Sequence, residues 1–327
     1  MAVSKFLDPK NDVAFKKIFG SEKNKGILIH FINDIMGFSG GDQIQNVTFL
    51  SPVQDPEIAY KKQSIVDVLC SAENGTKIIV EMQVSPSKGF EKRAQYYAAK
   101  AYSRQLSQGQ AENGVYANLK EVIFIAISDY NIFAQKAEYL SHHVILDKIT
   151  YEHDLKDFSF SFIELPKFQI DKIENLKTII EKWCYFFKYA AKTSEADLKR
   201  IIGSDLVIEH AYEALNQFNW NETELIAYEQ EIKRIMDNRA ADDYIRDKRQ
   251  EIENKAREEG EARGEARGEA RGEARGEARG EARGEARGEE KKAIEMAKKM
   301  LIKGKDIAEI IEFTDLSKEQ IEKLKSS

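Results

Sequence analysis

Asp67 and Glu81 stand inside two apolar runs, Ile65-Val66-Asp67-Val68 and Ile78-Ile79-Val80-Glu81-Met82-Gln83. A carboxylate buried in such a run is costly unless it is paired or bound to a metal. An exposed sheet face could also carry an acid, but Ile65, Val66, Val68 and Leu69 are apolar on both faces around Asp67, as in a central strand. The turn between the runs, Glu73-Asn74-Gly75, is a hairpin signal, and its length decides what the two acids can do. A two-residue Asn74-Gly75 loop pairs Asp67 with Met82 and sends the acids to opposite faces. A three-residue loop, with Gly75 left-handed in a bulge, pairs Asp67 with Glu81 and leaves Gln83 on the same face. Opposed residues stand about 4.5–5.5 Å apart at Cβ, which suits two carboxylates around one hard divalent cation. A metal site requires the three-residue loop, and that is the expected register.

The next helix offers a second chemistry. Ser87 is placed to cap a helix from Lys88 to about Gln108, with Phe90, Ala94, Tyr97, Ala98 and Ala101 as its apolar stripe. Arg93, Lys100 and Arg104 are spaced so that they return to one side of it, and Lys88 and Lys92 extend the positive field toward the strand end. Such a face suits the phosphates of DNA and predicts salt-sensitive binding. An ordinary solvated helix face has the same appearance. No base-reading motif is present, so sequence specificity is expected to be low or to come from the C-terminal helices.

A scaffold must hold these groups. Asp8-Pro9 reads as an N-cap and first helical position, opening a helix through Asn11–Phe19 that Gly20 ends. A second helix is expected from about Asn24 to Met36, ending at Gly37. Strands are expected at Asn46–Leu50, Gln63–Ala72, Thr76–Val84, Glu121–Ser128, His143–Leu146 and Phe158–Leu165. Glu121–Ser128 is almost wholly apolar, as a strand covered on both faces must be. Helices, a meander, a crossover helix and a buried strand make an α/β layered core over residues 1–170.

From about Asp171 the period becomes helical, and residues 171–260 read as a helical extension packed on that core. Residues 261–288 repeat Glu-Ala-Arg-Gly seven times. Residues four apart stack on a helix, so Glu stacks on Glu and Arg on Arg, and each glycine costs about 0.8–1.0 kcal/mol relative to alanine. Two outcomes remain: a flexible linker, or a helix that forms beside a copy of itself and winds right-handed because four exceeds 3.6. Residues 289–327 form three short apolar-striped segments, with Ser317 and Gln320 as a capping box. They read as a helix-turn-helix-like module or a helical oligomerisation cap.

Of the 327 residues, 42% are hydrophobic and 32% charged, as in a folded soluble protein. The start, MAVSKFLDPKND, lacks the apolar run of a secretory signal, and no membrane span is expected. Cys70 and Cys184 lie in apolar patterns and read as buried free thiols, and no Cys/His cluster has zinc spacing. A cytoplasmic location follows. The net charge of −6 argues mildly against nucleic acid, although a local basic stripe can bind phosphates on an acidic protein.

Three stretches in order carry a resemblance: DPKNDVAFKKIFG at 8–20, the VDV…EMQ hairpin, and KRAQYYAAKAYSRQLSQG on the following helix. With them, residues 5–165 resemble the PD-(D/E)XK nuclease superfamily and, within it, the Rpn group of recombination-promoting nucleases and transposase-like proteins. The ending KGKDIAEIIEFTDLS is of a kind found after the nuclease domain there. The resemblance implies a restriction-endonuclease-like mixed sheet flanked by helices, and metal-dependent cleavage of DNA in recombination, mobile-element biology or defence. It implies Asp67 and Glu81 as metal ligands, the Met82 carbonyl as a third, and Asp12 as the acid of the first helix. The alternative for Asp12 is a solvated first-turn acid favoured by the helix dipole. Mg²⁺ is the expected ion, with Mn²⁺ or Ca²⁺ as alternatives. Gln83 stands where the superfamily carries lysine, so it can orient water by hydrogen bonds but supplies neither charge nor a base. The expected partners are DNA and further copies of the chain, met through the C-terminal helices. A catalytically silent DNA-binding or self-assembling module and a strand-joining transposase stay open.

Overall fold

The computed structural model describes residues 5–54, 64–107, 115–203 and 205–325. Gln63 and Gln108, where an expected strand begins and an expected helix ends, lie outside them. The chain divides into two compact units, Met1–Asn238 and Arg239–Ser327.

The first unit is built on a six-stranded mixed sheet. Its strands are β1 (Val47–Phe49), β4 (Val68–Ala72), β5 (Lys77–Gln83), β6 (Val122–Ser128), β7 (Leu140–Val144) and β8 (Phe158–Glu164), in the spatial order β1-β4-β5-β6-β8-β7. β5, β6 and β8 run parallel, and the outer pairings are antiparallel. Every residue of β6 is buried, because helices cover both faces at the middle of the sheet. On one face, α3 (Phe90–Ser107) lays Phe90, Ala94, Ala98 and Ala101 over Leu69, Ile79, Phe124 and Phe162. On the other face, α1 (Asp12–Phe19) and α2 (Lys25–Met36) pack with α4 (Ile179–Tyr189), α5 (Glu195–Ile202) and α6 (Leu206–Leu215). Phe19, Phe31, Trp183 and Phe187 meet there with ring centroids 5.2–6.2 Å apart. Residues beyond 170 thus share a core with the first helices, and no gap separates them from the sheet.

The first helix starts later than Asp8-Pro9 suggests. Asp8 folds into a turn: its carboxylate accepts the Lys10 amide at 2.9 Å, and its carbonyl accepts the Asn11 amide at 3.2 Å. Asn11 is the cap instead, accepting from Val13 and Ala14 while its own amide donates to the Tyr228 carbonyl. The expected strand Gln63–Ala72 is broken. A short β3 (Ser64–Ile65) pairs with β2 (Val53–Gln54) in a separate ribbon, and β4 begins only after Val66 and Asp67. α3 opens at Phe90 behind Gly89, whose φ of +78° turns the chain into the helix. Ser87 contributes its carbonyl to the Phe90 amide at that point, and Lys88 precedes the helix.

α7 runs over Glu222–Ile302, through the whole repeat. In the first unit its Tyr228 packs on Trp220 and its hydroxyl accepts the Asp8 amide at 2.9 Å. In the second unit the end of α7 packs Ala297 against Ile310 of α8 (Ile307–Thr314) and Ile321 of α9 (Lys318–Lys325). Ser317 and Gln320 cap α9 reciprocally, at 2.8 and 3.3 Å. Among the described residues, no helix is long and apolar enough to cross a membrane.

Candidate active site

The β4–β5 hairpin sets the site. Gly75 adopts φ +92° and its amide donates to the Ala72 carbonyl, while the Ala72 amide donates to the Thr76 carbonyl. The loop is therefore Glu73-Asn74-Gly75, and the ladder pairs Val68 with Val80. One step further along that ladder, Asp67 stands opposite Glu81. The sheet ladder has stopped at Asp67, so its carboxylate takes over: Oδ2 accepts the Met82 amide at 2.8 Å. Glu81 is only 3% exposed, and its carboxyl shares a hydrogen bond with that of Asp67. Burial, and then the charge of Asp67, push the Glu81 pKa well above the usual carboxylate range. Burial also raises that of Asp67. Two carboxyl groups this close and this dry need a proton or a cation between them.

Gln83 lies on the same face, two residues along β5. Its amide nitrogen donates to Glu81 Oε2 at 3.3 Å and to the Met82 carbonyl at 3.1 Å. Its amide oxygen accepts from the Arg93 guanidinium of α3. Arg93 is stacked over Phe90, 4.9 Å from the ring centroid, and stands 6.0 Å from that of Tyr97. Its buried Nε has no hydrogen-bond partner. Its charge pulls the Glu81 pKa down, against the burial and Asp67 effects. Tyr97, one turn along α3, lies near enough to feel both acids: burial raises its pKa, and Glu81 and Asp67 add to that.

The first helix approaches from the opposite face. Asp12 pairs with Lys16 at 2.8 Å, one turn apart. Burial pulls the Lys16 pKa down, but the Asp12 hydrogen bond and the charges of Asp12, Asp67 and Glu81 prevail and hold it above its ordinary value. The Asp12 charge raises the Asp67 pKa, and Lys16 lowers it. So the structure brings Asp67, Glu81, Gln83 and the Met82 backbone together beside Arg93, and sets Asp12 and Lys16 within electrostatic reach of the two acids. The sequence reading took Arg93 for a phosphate contact alone and passed over Lys16. Its spacing four residues after Asp12 was the available signal.

The remaining basic residues are dispersed. Lys88 and Lys92 are exposed, and Lys100 is half-buried. Arg104 is half-buried and donates to the Val53 carbonyl at 3.4 Å, so it ties α3 to the β2–β3 ribbon. A cavity of about 1270 Å³ lined by His30, Asp34 and His210 lies apart from this site, and Asp67, Glu81, Gln83 and Arg93 take no part in it.

Among the described residues, no group of three or more His, Cys, Asp or Glu side chains is arranged to hold a metal ion. The desolvated, mutually hydrogen-bonded pair Asp67–Glu81 nevertheless fits one hard cation, with water filling the other positions. No characterised protein and no solved structure gives a significant match to the chain. The sequence does match a family profile, described as PD-(D/E)XK nuclease family transposase, over residues 9–244. That stretch contains the sheet, α1, the hairpin and α3, so the chain belongs to the PD-(D/E)XK nuclease family transposases.

Proposed function

We propose that the protein is a metal-dependent DNA endonuclease, acting in recombination, mobile-element biology or defence against foreign DNA. The observation that carries this is the Asp67–Glu81 pair: two carboxyl groups held side by side in a dry site, with raised pKa values. Such a pair is unfavourable in the folded protein unless a cation relieves it. Asp67 and Glu81 would hold the ion, and the Met82 carbonyl, which accepts from the Gln83 amide, would be a third ligand. When bound, a divalent cation makes water a nucleophile at neutral pH and stabilises charge on a phosphate. Mg²⁺ is the ion we favour.

The chain's own residues do the rest. The Met82 amide fixes Asp67 Oδ2 and so orients the carboxyl that Asp67 shares with Glu81, where an ion would replace the proton between them. Arg93 orients Gln83, whose amide nitrogen is spent on Glu81 and the Met82 carbonyl and whose amide oxygen keeps a second lone pair that can accept from an attacking water. Lys16, held by Asp12, brings a positive charge to the carboxylates from the side opposite α3. We infer that Lys16 and Arg93 together supply the positive charge that lysine supplies at the position of Gln83 in the wider superfamily. Lys88 and Lys92 are placed to meet the DNA backbone. We place the protein in the cytoplasm, where Cys70 and Cys184, both buried and unpaired, remain reduced.

The test is plasmid cleavage by the purified chain with Mg²⁺, Mn²⁺ or Ca²⁺ and with EDTA, beside Asp67→Ala and Glu81→Ala. Metal-dependent nicking that both variants lose is the expected result. Cleavage that survives both substitutions would overturn the assignment.

A further inference from the structure

The repeat at 261–288 has no use inside its own chain. It is helical and exposed throughout. Its glycines cost helix stability, about 0.8–1.0 kcal/mol each against alanine. Yet a Cβ at any glycine from Gly260 to Gly288 would meet nothing within 4 Å, so no contact in the chain requires them. Among the described residues, no ion pair joins side chains between 264 and 288, although the segment holds only two charged residue types of opposite sign. Charges and glycines alike are left facing outward.

Helix geometry orders them. At about 3.6 residues per turn, five turns take 18 residues, so Glu265 and Arg283 point in the same direction. Gly272 and Gly276 straddle that same line midway between them, about 20° to either side. One straight face therefore runs from an acidic end, Glu265 and Glu269, across glycine to a basic end, Arg279 and Arg283. A second copy laid parallel and in register sets Glu against Glu. A second copy laid antiparallel about Ala274 sets Glu265 against Arg283 and Glu269 against Arg279, twice by symmetry, with Gly272 against Gly276 at the crossing.

We propose that this face is a docking surface for a second copy of the chain, in that antiparallel register. The glycines let two backbones approach closely, and the charges choose the orientation. The proposal does not depend on nuclease chemistry, and its readout is mass.

The experiment is sedimentation velocity of the full chain at low salt, comparing wild type, Glu265→Arg, and Glu265→Arg combined with Arg283→Glu. Wild type should sediment as a dimer. The single swap should weaken association about tenfold, because two opposed pairs become repulsive. The double swap should restore it, because each changed residue again meets its opposite charge on the other copy. Helix content by circular dichroism should match in all three. A monomeric wild type overturns the proposal. So does a dimer that the single swap leaves intact, or one that the double swap fails to rescue.

Discussion

Asp67 Oδ2 accepts the Met82 amide at 2.8 Å, and this bond does for Asp67 what the β-ladder does for its neighbours. It anchors a residue just outside β4 to the adjacent strand and fixes the orientation of one carboxylate oxygen. Asp67→Asn keeps the shape and can keep the Met82 bond, but carries no charge. It should lose cleavage about a thousandfold while melting near wild type. A plasmid assay beside a thermal melt checks this, and an active Asp67→Asn would remove Asp67 from the chemistry.

The pH dependence of stability has a definite sign. Burial, then Asp67, raise the Glu81 pKa in the folded chain above the ordinary 4.5. Below the ordinary value both folded and unfolded chains hold the proton, so the contribution of Glu81 is fully present. It is lost as pH rises through the raised value, because the folded chain must then release a proton that the unfolded chain has already lost. In EDTA, the melting temperature should therefore fall across that window. Glu81→Gln should flatten the fall, and Mg²⁺ should raise wild-type stability most on its alkaline side. Differential scanning calorimetry at several pH values reads all three.

Arg93 acts through Gln83 and through the field at Glu81. Lysine cannot replace it, because the guanidinium is stacked over Phe90 while it holds Gln83. Both Arg93→Ala and Arg93→Lys should lower kcat about a hundredfold. Arg93→Ala should also move the acid limb of the pH–rate profile to higher pH, since the charge that depresses the Glu81 pKa is gone. A profile that keeps its position would show that Arg93 has no electrostatic part.

Asp12 can act as a metal ligand or as the holder of Lys16, and the two roles predict different numbers. The 2.8 Å ion pair favours the second. Asp12→Asn, Lys16→Met and the double variant should then show similar losses of activity, with metal affinity by calorimetry within about threefold of wild type. A loss of metal binding in Asp12→Asn alone would make Asp12 a ligand.

Where the chain enters α3, Lys88→Ala, just before the helix, and Lys92→Ala, in its first turn, should each reduce the salt dependence of DNA binding by about one unit of log–log slope. Arg104→Ala should instead lower the melting temperature, because Arg104 holds the Val53 carbonyl. Fluorescence anisotropy at several salt concentrations, with melts alongside, separates the two behaviours.

The hairpin register was legible in sequence only because a three-residue loop is the one that brings Asp67 and Glu81 to one face; Asn74-Gly75 by itself suits a two-residue loop as well. Gly75 at φ +92° closes a three-residue loop, and side-chain alternation does the rest. The covered strand β6 and the cap at Gly37 were plain, from an unbroken apolar run and a glycine after an apolar helix. Other features depend on partners far away in sequence. The first helix begins at Asp12 because Asn11 finds the Tyr228 carbonyl, more than 200 residues on. Val66 and Asp67 break their strand because the Val66 amide pairs with the Pro52 carbonyl instead of a sheet neighbour. The bearing of Lys16 on the acids could not be read from an isolated helix, where Asp12 and Lys16 look like any exposed pair one turn apart.

The four-residue period has a consequence for the length of the segment. An antiparallel partner shifted by one whole Glu-Ala-Arg-Gly unit still meets acid with base and glycine with glycine, and forfeits only terminal contacts. Gain or loss of whole units, as by slippage on a twelve-nucleotide tandem tract, would therefore leave the pairing code unchanged. A shift by two residues would bring like charges together. The repeat is thus tolerant of copy-number drift and intolerant of out-of-phase insertion, a distinction that related chains with different numbers of units should display.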